Sequence, residues 1–412
     1  CIRDRADVAP QIDSLAESDP TTQPRESDVE STVAAAPNAP LSMRPDPGSG
    51  RADDNRLEST NSSSADSVAK DRGVAAGVDL PPSSSPGPHL VPQNGVSRSA
   101  ERRRTQNELD ASSELLVQQF PDMGWAVKSL GFSPDGRWLA AGKMDRKLLI
   151  LDIDSGKTLS QVERLEDLSQ VEQVQFSPDG KFVAAAGYSG AIVSWRVDAK
   201  GALSDPASRR RQTHAVRSLQ FSPTAPFLIT GDSKGELIWQ SFRDETSNSR
   251  AQNVSKRAVV AVHLPAQGFE AVVTDGNHLV RVNLKTAAVT VGEPFRRGVA
   301  AAAAFSGDGS LLAICNGYRV EVWDTRDVSL LQTFEQDSES QWCVEFLPDQ
   351  RRLVSGGRGK VTLWDIESDT SVHRFDVGRS YVQTIAVSRD GSMLAAIPSS
   401  AGQTLSVFRI PK

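Results

Sequence analysis

The chain has 412 residues, 38% of them hydrophobic and 24% charged, with 46 Lys and Arg against 52 Asp and Glu for a net charge of −6. That length holds one large domain and a further segment, while the acidic balance and the lack of any apolar run of 18 or more residues argue against a nucleic-acid coat or a membrane-spanning helix. Three scattered cysteines, Cys1, Cys315 and Cys343, are too few for a disulfide framework or a zinc site, and the latter two read as small hydrophobes of neighbouring strands.

Residues 1–112 read as a disordered Pro/Ser-rich tail or linker. The first 110 residues hold 12 of the 23 prolines, 12 Lys and Arg against 18 Asp and Glu, and no aromatic residue before Phe120. Such a stretch cannot bury enough apolar surface to offset the entropy of ordering it. Glu101-Arg102-Arg103-Arg104 within it is a short basic run that reads as solvated linker. Cys1 opens the chain where a Met would stand in a full reading frame. Either it is the acylated residue of a processed lipoprotein, anchored to a membrane, or the chain is a fragment of a longer and then cytoplasmic signalling protein, which is the simpler reading.

From residue 113 onward the sequence repeats. Phe132-Ser133-Pro134-Asp135-Gly136 returns as Phe176-Ser177-Pro178-Asp179-Gly180, Phe221-Ser222-Pro223, a worn copy at Leu264, Phe305-Ser306-Gly307-Asp308-Gly309, Phe346-Leu347-Pro348-Asp349 and Val387-Ser388-Arg389-Asp390-Gly391. The intervals are 44, 45, 43, 41, 41 and 41 residues, which is the length of a four-stranded propeller blade and too long for a helical hairpin. Each copy is a tight turn, with Pro presetting φ and Asp and Gly supplying the side-chain bond and unusual backbone angles. Apolar residues alternate into the turn (Leu130, Val174, Leu219, Val262, Ala303, Val344, Ile385), a second apolar run leaves it, and a third closes on Leu151, Trp195, Trp239, Trp323, Trp364 or Phe408. The pattern predicts an all-β fold: a seven-bladed β-propeller of four-stranded antiparallel blades over residues 113–412. Leu115–Phe120 resembles the outer-strand runs ending at Phe334 and Phe375, so strand 115–120 is expected to supply the fourth strand that the last blade lacks and to close the ring.

Val322-Trp323-Asp324 and Leu363-Trp364-Asp365, at the ends of third strands, resemble the Trp-Asp signature of WD-repeat propellers. The resemblance covers residues 115–410 and implies a rigid frame that docks protein partners at one rim. The family's hydrogen-bonded His is matched only by His214, and the Asp of the turn between second and third strands only by Asp145, so few blades are expected to carry its polar staple.

Residues with catalytic or ligand chemistry are sparse. No phosphate loop, nucleophile elbow or zinc spacing occurs, Gly356-Gly357-Arg358-Gly359 ends a strand where a turn is needed, and the repeated Asp residues are explained by turns without an ion. Glu172, His263 and Glu345 are the polar candidates for a ligand or metal site in the central channel. The reading is therefore a non-enzymatic interaction platform with no cofactor. Its alternatives are the C-terminal sensor or docking part of a longer signalling protein such as a kinase, or a propeller with a channel ligand. Residues 111–412 hold 34 cations against 34 anions, a neutral balance that gives no electrostatic footprint for nucleic acid. Because strands alternate, the blade-to-blade links and the turns between second and third strands emerge on one face. Arg209, Arg210, Arg211, Arg296, Arg297 and Arg379 fall in links and Arg358 in a turn of that face, an arc suited to an acidic or phosphorylated protein segment. Glu163, Glu166, Asp167, Asp337 and Glu339 fall on the same face and leave a mixed solvated surface as the alternative.

Overall fold

Four of the repeated turns are closed by their own serine. Ser133 Oγ donates to Asp135 Oδ1 at 2.6 Å and accepts the Trp138 amide at 2.9 Å, while the Gly136 amide returns to the Ser133 carbonyl at 2.9 Å. Gly136 has φ +73°, a conformation that costs a side-chained residue free energy. The same Ser–Asp bond recurs at Ser177–Asp179, Ser306–Asp308 and Ser388–Asp390. In the last of these the Ser388 hydroxyl holds the Asp390 carboxyl below its ordinary range. The Asp residues thus spend their oxygens on backbone and hydroxyl donors of the turn.

A computed structural model describes residues 112–124, 127–163, 168–208, 212–242, 249–295, 300–335, 340–399 and 402–412. The tail expected over residues 1–112 lies outside these apart from Ser112. Strand β1 is Leu116–Phe120. Five four-stranded sheets then follow in part or whole order: β2–β5 (Val127–Phe132, Trp138–Lys143, Leu148–Asp152, Thr158–Val162), β6–β9 (Val171–Phe176, Phe182–Gly187, Ile192–Val197, Leu203–Ser208), β10–β13 (Val216–Phe221, Phe227–Asp232, Glu236–Ser241, Arg250–Asn253), β14–β17 (Ala261–His263, Glu270–Thr274, Leu279–Asn283, Val289–Val291) and β18–β21 (Ala302–Phe305, Leu311–Asn316, Arg319–Asp324, Leu330–Glu335). The chain ends with β22–β27 (Cys343–Phe346, Arg352–Gly356, Arg358–Asp365, Thr370–Val387, Met393–Pro398, Leu405–Arg409), which join β1 in a seven-stranded sheet of order β1-β27-β26-β25-β24-β23-β22.

The expectation of seven four-stranded blades is therefore corrected. The structure has five, and the last two repeats run into one sheet because β25 continues unbroken for 18 residues where a blade-to-blade link was expected. Its first part pairs with β24 (Val361↔Phe375) and its last part with β26 (Val382↔Pro398). Between them Arg358 pairs with Tyr381 and the Val382 amide donates to the Gly357 carbonyl at 2.8 Å, which keeps the crossing in extended backbone. At the far edge β1 runs antiparallel to β27, Leu116 opposite Phe408 and Phe120 opposite Leu405.

The core lies between neighbouring sheets. One buried cluster joins Ile150 of β4 to Val171, Val174, Val183 and Trp195 of the next sheet, and another joins Leu139 and Leu151 to Ala395, Leu405, Val407 and Phe120. Leu151, Trp195, Trp239, Trp323, Trp364 and Phe408, which close the third strands, are all buried. Cys315 is a buried free thiol and Cys343 a half-buried one.

The turn serine gives a direct check on this construction. Ser177 is fully buried and serves both the Phe182 amide and Asp179, so Ser177→Ala should lower the unfolding free energy by roughly 1–3 kcal/mol in urea titration, the usual cost of an orphaned buried donor. An unchanged midpoint would contradict the turn's role.

Candidate partner-binding face

Links and second-to-third-strand turns meet on one face through backbone bonds between neighbouring sheets. The Gln212 amide, in the link before β10, donates to the Gly190 carbonyl in the turn after β7 at 2.9 Å, and Gln341 before β22 donates to Gly317 after β19 at 2.7 Å. On the opposite face the serine turns bond the ends of third strands, as in Ile153 to Arg137 at 3.0 Å and Val197 to Lys181 at 2.9 Å.

At the link face the first strands carry a bulge. The pairing of β2, β6 and β10 skips Lys128, Glu172 and Arg217, and that of the last first-strand segment skips Gln383. A bulge re-aims the extra side chain, and all four line a central channel of about 980 Å³. Glu172 is paired with Arg217 at 3.3 Å. Trp342 and Tyr381 line the same channel, their rings edge to face at a centroid distance of 5.4 Å and 47% and 44% exposed. Half-exposed aromatics are costly to leave in water without a use.

Beside this pair the crossing of β24 and β25 forms a ledge. Gly359 has φ +73°, and a Cβ there would come within 2.3 Å of the Gly378 carbonyl, so glycine is required for the two backbones to cross. Arg358 and Arg379 flank the crossing, both exposed and without an ion-pair partner among the described residues. Arg209, Arg210, Arg211, Arg296 and Arg297, with Glu166, Asp167, Asp337 and Glu339, lie outside the described residues. Glu163 is described and pairs with Lys147 at 3.4 Å. Sequence reasoning missed Trp342 and Tyr381. The available sign was that all three tyrosines fall outside the repeated apolar runs; Tyr188 and Tyr318 stand in turns and Tyr381 in the crossing of β25, 55%, 57% and 44% exposed.

The three polar channel candidates have separate duties. Glu345 Oε2 accepts the Val387 amide at 3.1 Å, the same bond that Gln175 and Gln220 make to the Phe221 and Leu264 amides at 2.9 and 3.0 Å. His263 is buried away from the channel, in contact distance of the Gly309 turn, and burial holds its imidazole neutral by lowering its pKa. Among the described residues no group of three or more His, Cys, Asp or Glu is placed to hold a metal ion.

The model of the "WD domain, G-beta repeat" family matches residues 116–152, 163–196 and 328–365. The first and last of these run from an outer strand through the next three strands to Asp152 and Asp365. The chain carries WD repeats on a β-propeller fold. It is similar to Protein HIR1 of Candida albicans (strain SC5314 / ATCC MYA-2876), 26% identical over 163 residues that make up 32% of this chain and 17% of that protein. It is also similar to the intraflagellar transport protein 122 homolog of Danio rerio, 37% identical over 62 residues, 15% of this chain and 5% of that protein. The matches thus span less than a fifth of either relative. Among solved structures it resembles the β-propeller domain of Myceliophteria thermophila Cps50 (Swd1), with a TM-score of 0.62, 12% identity, and coverage of 71% of this chain and 100% of that one.

Within this WD-repeat frame the polar staple is placed otherwise than the sequence suggested. His214 Nδ1 lies 3.4 Å from Asp232 Oδ2, a fully buried carboxylate at the end of β11, two residues before the turn position occupied by Lys234. Asp275 is a second turn carboxylate, accepting from Ser255 Oγ at 2.7 Å and lying 3.0 Å from His278 Nδ1. Asp145, the expected match, faces Lys143 at 3.4 Å. Trp364 Nε1 donates to Ser355 Oγ at 2.9 Å inside its sheet.

Glu345 makes the propeller's stability depend on pH. Burial pushes its carboxyl from 4.5 up to about 8, so the folded state holds the proton more tightly than the unfolded chain. The contribution is fully present below pH 4.5, falls as pH rises from there to about 8, and is flat above. One edge of the residue faces the channel, which limits the loss to a few kcal/mol at most. Glu345→Gln keeps the acceptor for Val387 and should leave the melting temperature at pH 4 unchanged while raising it at pH 9. Equal shifts at both pH values would contradict a buried, proton-retaining Glu345.

Proposed function

We propose that this WD-repeat propeller is a non-enzymatic interaction platform that docks a protein partner on the face carrying the links, through an acidic or phosphorylated segment of that partner. The observation that carries the reading is the pair of exposed guanidiniums, Arg358 and Arg379, beside the uncovered Trp342 and Tyr381. Arginine and aromatic residues are the types that concentrate binding energy at interfaces, and a guanidinium holds carboxylate or phosphate in a fork. Exposed Arg146, Lys234 and Lys256 stand in turns and links of the same face, and Arg209, Arg210, Arg211, Arg296 and Arg297 belong to the proposal by their place in the sequence. The opposite face spends its Asp residues on its own turns. The WD-repeat fold itself is a frame for protein–protein interaction, which agrees with this use.

The test is charge reversal of Arg210, Arg297 and Arg358 together, read by affinity capture from the native source. The partners recovered by the wild type should be lost from the triple variant, and wild-type capture should weaken as salt rises. Retention by the triple variant, with loss on reversing Arg137, Lys181 and Arg389 of the serine turns instead, would place docking on the other face.

A further inference from the structure

The channel mouth is divided by chemistry. On the first strands β2, β6 and β10 the mouth position is Lys128, Glu172 or Arg217, whereas just ahead of β14, β18 and β22 it is Val260, Ala301 and Trp342. The strand β18, with Ala302, Ala303 and Ala304 all half-buried, lines the same channel behind the exposed Ala301, and it is the neighbour of β22. Trp342 is 47% exposed, with Tyr381 edge to face against it at a centroid distance of 5.4 Å. Both carboxylates that line the channel among the described residues are engaged: Glu172 is held by Arg217 at 3.3 Å, and Glu345 accepts the Val387 amide at 3.1 Å. At the rim beside Tyr381 the guanidiniums of Arg358 and Arg379 are exposed and without an ion-pair partner among the described residues.

We propose that the alanine wall of β18 and the Trp342–Tyr381 pair form an anchor slot for one large apolar side chain of a linear protein segment, whose flanking carboxylates lie on Arg358 and Arg379. The inference rests on the link-face reading above and adds the partner's chemistry to it. An aromatic or leucine side chain fits because it buries its apolar surface against Trp342 and the alanines, while charge complementarity at the ledge fixes the direction of the segment. A cationic anchor is disfavoured inside the channel, where both described carboxylates are already engaged.

The test starts from a phage-displayed library of randomised linear peptides selected on the full chain, followed by fluorescence polarisation with the labelled winning peptide. Selected peptides should share one Phe, Trp or Leu flanked by Asp or Glu. Trp342→Ala should weaken binding at least about ten-fold and Trp342→Phe should restore most of it. Changing the peptide's apolar residue to Ala should cost a similar factor on the wild type and almost nothing on Trp342→Ala, the signature of two groups that touch. Trp342 is half-exposed, so unchanged melting of the variant separates lost contact from lost fold. Failure to enrich any peptide, basic consensus peptides, tighter binding of a mixed-sequence oligonucleotide, or an undiminished alanine effect on Trp342→Ala would overturn the slot. Acidic peptides that need Arg358 and Arg379 but are indifferent to Trp342 would overturn the slot and leave the platform reading standing. Binding lost only on serine-turn variants would remove both.

Discussion

Antiparallel pairing of β1 with β27 joins the two ends of the propeller, and the geometry of the channel mouth depends on it. Without β1 the last strand would present an open ladder, the kind of edge that recruits other chains. The joint is reinforced beyond the ladder: the Arg409 amide donates to the Leu115 carbonyl at 2.7 Å and the Met123 amide to the Gln403 carbonyl at 3.0 Å. Phe120 and Met123 lie in one buried cluster with Leu405, Val407 and Leu139, so the closing strand also carries the packing from the last sheet onto the first. Bringing together residues nearly the whole domain apart costs chain entropy that rises only slowly with loop length, and a strand plus two buried side chains is a proportionate return for it.

Closure has its use in the seven-stranded sheet. A link in an open loop would sample many positions, whereas the Arg358–Tyr381 crossing is held in extended backbone by its register and by Gly359, where any side chain would strike the Gly378 carbonyl. Two guanidiniums and two aromatic rings are thereby presented on fixed backbone, which reduces the ordering cost of binding. The Gln175 and Gln220 acceptors reach from one sheet to the next, and Glu345 makes the same bond within the seven-stranded sheet, so the first strands are tied to one another around the channel.

The sequence revealed what repeats and hid what does not. The serine turns, the apolar alternation and the aromatic closers recur at a fixed period because each blade solves the same packing problem, and one repeat explains the next. β25 broke the pattern invisibly: its interval of 41 residues is ordinary, and nothing in Asp376-Val377-Gly378-Arg379 distinguishes a continuous strand from a loop without knowing that Arg358 pairs across to Tyr381. Asp232 was hidden by a two-residue shift from the turn position being compared, a distance that its long reach to His214 makes harmless in space. Trp342 escaped notice because it occurs once, at a position that other repeats fill with Lys128, Glu172 or Arg217. Arg358 and Arg379 were legible as a charge arc, but their placement beside the aromatic pair arises only when two sheets fuse.

Hydrogen exchange of backbone amides, compared between the full chain and a form that begins at Met123, tests the dependence of this surface on ring closure most directly. Removing β1 should raise exchange along β27 and β26 and also at the Val382 amide that pins the ledge to Gly357. Protection at β27 and Val382 equal to that of the full chain would show that the ledge stands without closure, and would contradict the account.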